Sequence, residues 1–242
     1  FVSRDSGTDS LWLKKLASQQ NILVFQGSLN EKIAEPTWSP NGKELLITVL
    51  GSGVSRIMQF DLELNDVKKF ASKNNVKMGK WSYDGSMMYW YEQIEKQWHV
   101  IEKNITTGQQ QIILSHPISR FEVLDKHNLH YQKIGTLAVH SRNLSEKNGS
   151  TPAEQKLLSS VNSFAWDAHF NVIYYISKSQ NAQVQMLYSM NLLNGEATTL
   201  YPITTDKFVD SGRHLSVNKD GSIAFYTRTN RQHKHVVLMS LE

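Results

Sequence analysis

The chain has 242 residues, 40% hydrophobic and 10% aromatic, with 26 Lys and Arg against 22 Asp and Glu and a formal net charge of +4. That size and apolar content sustain a packed core, and a small basic excess spread along the chain does not demand a nucleic-acid partner. Cysteine is absent, which removes disulfides, thiolate chemistry and cysteine-ligated zinc together, and no apolar run reaches the 18 residues of a membrane-spanning helix.

In chain order, FVSR (1–4) reads as a strand entered midway, followed by LWLKKL (11–16) and NILVF (21–25). Trp38 opens WSPNGKELLIT (38–48), then come IMQFDL (57–62) and VKKFAS (67–72). Trp81 opens WSYDGSMMYWY (81–91), then VIEKNI (100–105) and QQIILS (110–115). EVLDKHNLHYQK (122–133) keeps the turn and strand without the tryptophan and glycine, and VHSRNL (139–144) and QKLLSS (155–160) follow it. Trp166 opens WDAHFNVIYYIS (166–177), then LYSMNL (187–192) and ATTLYP (197–202). The last copy, VNKDGSIAFYTR (217–228), has Val217 where the tryptophan stands elsewhere, and VVLMSL (236–241) ends it.

Three series recur in fixed order at a spacing of about 40–50 residues, the period of blade repeats. Each unit predicts about four short strands separated by Gly, Asn, Asp and Ser turns. The Asn-Gly and Asp-Gly pairs supply the positive φ that tight turns need. Met87 to Tyr91 carry large groups on both faces, as a strand covered on both sides requires. The expected fold is all-β: a single β-propeller domain over 1–242, six blades of four antiparallel strands, the first and last incomplete. The blades run roughly 1–30, 31–75, 76–117, 118–160, 161–205 and 206–242. The chain opens inside a strand at Phe1. The reading therefore expects a longer parent, in which about 20 preceding residues, the length of two strands and their turns, complete the terminal blades and raise thermal stability.

Trp38 to Gly42, Trp81 to Gly85 and Phe1 to Leu16 resemble the TolB-type, WD40-like propeller repeat, in which a Trp-Ser-Pro-Asp-Gly-like turn precedes a strand ending near Phe-x-Ser and then a Leu-Trp-like strand. The units at 122 and 217 match it poorly and rest on spacing. The resemblance implies one of three settings: the periplasmic TolB protein, the propeller of prolyl-oligopeptidase-like peptidases, or the C-terminal extracytoplasmic domain of ToxR/CadC-like membrane-anchored regulators that carry an N-terminal winged helix. No Gly-x-Ser-x-Gly nucleophile elbow occurs. The expectation is therefore the regulator's non-catalytic, periplasmic sensor domain. Its partner would be a protein or small anionic ligand on the loop face, with no nucleic acid bound by this domain and no direct membrane insertion. A TolB-like scaffold, or the propeller of a peptidase or polysaccharide lyase, is the alternative.

Arg228, Arg231, His233, Lys234 and His235 form the densest cationic stretch, in the loop between second and third strands of the last blade, and Arg4 holds the matching place in the first. They are the expected ligand- or partner-binding residues. Equivalent loops at Asp5 to Asp9, Gly51 to Ser55, Glu92 to Gln97 and Lys178 to Gln183 differ in charge, as a recognition surface would. The pairs His233/His235 and His127/His130 have spacings a metal can use, but a polar strand end and core packing account for them. No catalytic residue, metal or cofactor is assigned. Trp38, Trp81 and Trp166 are expected in the core between blades, whereas Trp98 follows the polar Glu95-Lys96-Gln97 and has the best case for exposure.

Overall fold

The computed structural model describes all residues except 6, 16, 74, 124–127, 145–153, 160, 162–165, 170, 179–184, 204–209, 219–221, 230–233 and 242. The described residues contain strands and turns and no helix. They form six antiparallel sheets, each built from consecutive strands. The first sheet holds β1 (Val2–Asp5), β2 (Thr8–Lys14) and β3 (Asn21–Gln26). The second holds β4 (Lys32–Trp38), β5 (Glu44–Leu50), β6 (Ser55–Asp61) and β7 (Asp66–Lys73). The third holds β8 (Val76–Trp81), β9 (Met87–Ile94), β10 (Gln97–Asn104) and β11 (Gln110–Leu114). The fourth holds β12 (Ile118–Val123), β13 (Asn128–Lys133), β14 (Val139–Asn143) and β15 (Glu154–Leu158). The fifth holds β16 (Trp166–His169), β17 (Val172–Lys178), β18 (Gln185–Asn191) and β19 (Ala197–Pro202), and the sixth β20 (Asp210–Val217), β21 (Ile223–Thr229) and β22 (Lys234–Ser240). The first and last sheets thus have three strands and the others four. The chain divides into two compact units, Phe1–Pro117 and Ile118–Glu242, each with three of these sheets.

One irregularity marks the repeat. In five sheets the register between the last two strands slips, at Leu11/Trp12, Ile57/Met58, Val100/Ile101, Val139/His140 and Leu187/Tyr188. The extra residue on the outer strand is Val24, Phe70, Ile113, Leu157 or Leu200, apolar every time. A β-bulge bends its strand and increases the twist; Ile113 is buried and Val24, Leu157 and Leu200 are half-buried, which keeps those bent strands on the core. Four residues beyond the slip come Leu62, Ile105 and Leu192, whose N–H groups donate to the carbonyls of Lys43, Ser86 and Asn171 at 2.6–3.0 Å.

The turns repeat as well. The Ser39 hydroxyl donates to Asn41 Oδ1 at 2.7 Å, and that oxygen also accepts the N–H of Lys43. Ser82, Asp84 and Ser86 reproduce this arrangement, with Gly42 and Gly85 at φ 72° and 73°. The Ser-x-Asx-Gly string is a side-chain-closed turn. Asn104 Oδ1 likewise accepts the N–H groups of Thr106 and Thr107, which accounts for an Asn-Ile-Thr string as turn chemistry.

Sheets pack face to face through apolar clusters. In the first unit, Leu46, Ile57, Val76, Trp81, Met88, Trp90 and Ile101 join the second and third sheets. Leu11, Ile33, Leu45, Ile47, Val49 and Phe60 join the first and second. In the second unit, Val139, Ile173, Tyr175 and Met190 join the fourth and fifth, and Ile176, Leu187, Ile203 and Leu215 join the fifth to the sixth. Trp81 meets its expectation at 8% exposed, but Trp38 corrects it, being 49% exposed. Trp81 packs in the cluster with Leu46, whereas, among the described residues, Trp38 is in neither apolar cluster of the first unit. The side chain of Trp166 lies outside the described residues.

Candidate functional site

In the first sheet, the hairpin joining second to third strands meets the segment that leads into the next sheet, Gly27 N–H donating to the carbonyl of Asp9 at 2.9 Å. In the third sheet, Gln93 N–H donates to the carbonyl of Asn75 at 3.0 Å, which extends the β8–β9 ladder. The connecting segment 27–32 is pinned by charge. Arg56 Nη1 lies 2.5 Å from Glu31 Oε1, and Glu31 Oε2 accepts the N–H of Ser28. The Arg56 hydrogen bond holds the Glu31 carboxyl below the usual carboxylate range, against the opposing effect of burial. Asp9 Oδ2 accepts the buried N–H of Ile33, and Ser55 Oγ accepts that of Val76 at 2.6 Å. Asp9 and Ser55 both stand three residues before the recurrent bulge, and each latches an amide at the start of the next sheet, Ile33 as the second residue of β4 and Val76 as the first of β8.

The third sheet breaks this pattern, for Trp98 stands three residues before its bulge. Its ring stacks on Tyr91, centroids 4.6 Å apart, and Lys77 Nζ sits 4.5 Å above it and 5.4 Å from Tyr91. Lys77 pairs with Tyr91, and Gln93 with Trp98, so all four project to one face of the sheet. The Tyr91 hydroxyl is fixed by donating to the carbonyl of His116 at 2.9 Å. The hairpin beneath Trp98 turns through Glu95 and Lys96 at φ 50° and 67°. Non-glycine residues avoid that region, so such a turn carries strain and persists where its surroundings enforce it. Here Gln93 Nε2 donates to the carbonyl of Lys96, and Asn75 Nδ2 donates to Gln93 Oε1. The result is a half-buried aromatic with a cation held against its face and a second lysine exposed beside it. The same turn also exposes the Glu95 carboxylate beside Lys96.

The second unit has its own polar cluster. Glu154 Oε2 accepts the Tyr131 hydroxyl at 2.7 Å, and Oε1 accepts Lys133 Nζ at 2.6 Å, with His140 Nδ1 at 2.7 Å from that oxygen. Burial raises the Glu154 carboxyl, but the donors Lys133 and Tyr131 outweigh it and hold the group below its ordinary range. Burial also depresses His140, and burial together with Glu154 pushes the Tyr131 phenol up. Among the described residues no group of three or more His, Asp or Glu is placed to hold a metal ion.

The residues expected to bind fall as follows. Arg4 lies in β1, half exposed, its Nε 3.6 Å from Asp9 Oδ1 and its Nη2 donating to the Gly7 carbonyl. Its charge is thus shared with its own loop. Arg228 lies in β21 opposite His235 in β22, and Lys234 pairs with Thr229. Only their backbone is described, while Arg231 and His233 lie outside the described residues. Lys77, Glu31 and Arg56 were not legible as site residues; Trp98 was marked by its polar flank alone.

No family model matches the chain, and no curated protein matches it in sequence. Solved structures do match. TolB from Acinetobacter baumannii shares 16% identity over 99% of this chain and 60% of its own, with a TM-score of 0.77. The fold is a TolB-type β-propeller. The oligogalacturonate lyase of Vibrio parahaemolyticus matches 96% of the chain and 71% of its own at 14% identity, TM-score 0.58. The β-propeller domain of the trilobed protease from Pyrococcus furiosus matches 97% of the chain and 73% of its own at 15% identity, TM-score 0.59. This TolB-type propeller therefore spans about 60% of the length of the Acinetobacter TolB, and its six sheets are the blades anticipated from the repeats.

Proposed function

We propose that this propeller is a non-catalytic sensor or protein-interaction domain. In this reading it is the periplasmic signal-sensing part of a membrane-anchored, winged-helix transcriptional regulator, and it takes an acidic partner or small anionic ligand on its loop face. The observation that carries the binding part is Lys77 held 4.5 Å over the Trp98 ring beside a strained, exposed turn. A purely structural role does not require a tryptophan there, since Asp9 and Ser55 fill the place of Trp98 in the first two sheets with small latching groups. The regulator setting rests on the resemblance of the repeats.

The experiment is a reporter assay in the parent protein with Lys77→Glu and Trp98→Ala, protein amount being measured alongside. Altered signalling at unchanged abundance supports the reading; unchanged output in both variants contradicts it. The scaffold and enzyme readings draw on the TolB, lyase and protease likenesses. Cleavage of oligogalacturonate or of a peptide by the purified chain would replace the non-catalytic reading.

A further inference from the structure

The outer half of the fourth sheet carries an excess of positive charge on one face. Tyr131 pairs with His140 and His140 with Lys156, while Arg142 pairs with Glu154. Residues two apart on a strand share a face, so Lys133, His140, Arg142, Glu154 and Lys156 project to the same side. Glu154 stands opposite Arg142 but is engaged elsewhere, its Oε1 accepting Lys133 Nζ at 2.6 Å and its Oε2 the Tyr131 hydroxyl at 2.7 Å. Arg142 Nε is buried and has no hydrogen-bond partner, whereas Lys156 is exposed. Burial lowers the His140 imidazole, and Lys133 and Lys156 push the same way against Glu154, so that ring adds no charge in neutral solution. Among the described residues of this face, three cations therefore stand around one carboxylate, and two positive charges are left over.

We propose that Arg142 and Lys156 form a binding site for a phosphate group, either the free ion or a small phosphate monoester. The two side chains are diagonal neighbours on adjacent strands, a separation of roughly 7–8 Å that long side chains span. A tetrahedral dianion fits between them. The guanidinium offers a planar fork to two of its oxygens, and the ammonium meets a third as a point charge. The two charges of the ligand match the two left over, where a carboxylate would answer only one. The buried Arg142 Nε points the same way, since a buried donor without an acceptor is costly and a bound oxyanion satisfies it. Glu154 cannot fill that role while Lys133 and Tyr131 hold both of its oxygens. This site lies in the second unit and does not rest on the Lys77 and Trp98 reading.

The test is a calorimetric titration of the full purified chain at low salt and about pH 8, where the phosphate group is a dianion. Inorganic phosphate and methyl phosphate are the probes, with acetate at the same ionic strength as the control. Saturable binding of at least one phosphate is expected, and none of acetate. Tighter binding of the inorganic ion assigns the site to free phosphate, and tighter binding of the ester to a phosphate monoester. Lys156→Ala, which removes an exposed side chain, should weaken binding by about tenfold and leave the melting temperature without phosphate unchanged. Arg142→Ala should weaken binding further, and Arg142→Lys should recover part of the loss. Absence of saturable phosphate binding overturns the proposal, as does equal binding of acetate or binding that Lys156→Ala leaves unchanged.

Discussion

The Glu35 carboxylate accepts the backbone N–H of Met78 at 2.6 Å, joining two positions 43 residues apart that occupy the same place in the repeat. Both lie at register slips of the innermost strands, between Ala34 and Thr37 and between Lys77 and Lys80, and both have positive φ, 55° and 58°. A Cβ on Gly79, beside Met78, would come 3.1 Å from Ile57 Cγ2, so the slip also lets the strand approach its neighbour closely. Glu35 Oε2 further accepts the Thr48 hydroxyl at 3.2 Å. Two strained bulges are therefore tied by one side chain. Glu35→Ala should cost about 1.5–3 kcal/mol in urea unfolding, the usual worth of a hydrogen bond to a charged acceptor, and Glu35→Gln less. An unchanged midpoint for the alanine variant would show that the bond contributes nothing.

The inter-sheet latches give a second expectation. Asp9→Ala leaves the Ile33 N–H buried without its acceptor and also strips Arg4 of its partner. A buried unsatisfied amide costs about 1–3 kcal/mol. The exposed Arg4 pair adds little, so Arg4→Ala should be nearly silent while Asp9→Ala is not. Equal effects in thermal unfolding would contradict this ordering.

The tryptophans should separate in the same way. Trp81→Ala opens a cavity in the cluster of Leu46, Ile57 and Trp90 and should cost about 3–5 kcal/mol. Trp38→Ala should fall within about 0.5 kcal/mol, as exposed positions do. Chemical denaturation of the two variants decides it.

These pairs also show what the sequence made legible. Blade number, strand order and the apolar ends of the third strands follow from spacing, because every strand must bury both faces against the next sheet. The exposure of Trp38 does not follow, since WSPNG and WSYDG are nearly the same string and the difference lies in what stands across from them. Lys77 was equally invisible. Its importance comes from Tyr91 and Trp98 on neighbouring strands, and pairing register is not written in a single string. Of the cationic stretch at 228–235, only a strand pairing of Arg228 with His235 emerges.

Acid should act on the second unit through Glu154 and His140. Both are held below their ordinary values of 4.5 and 6.5. The unfolded chain therefore takes up protons more readily than the folded one in each window. Stability present above pH 6.5 should decline as pH falls through the histidine range, and decline again below 4.5. His140→Phe, which keeps a ring beside Tyr131, should flatten the upper limb, and Glu154→Gln the lower. Melting temperatures measured across that pH range check it, and a wild-type profile rising toward acid would reverse the sign.

The most direct test of the binding account is a calorimetric titration of the purified chain with an oligoglutamate peptide at low salt. Saturable binding that is lost in both Lys77→Glu and Trp98→Ala, with their unfolding midpoints little changed, is the predicted result. No binding, or binding that survives both substitutions, would contradict the loop face of Lys77 and Trp98 as the recognition site.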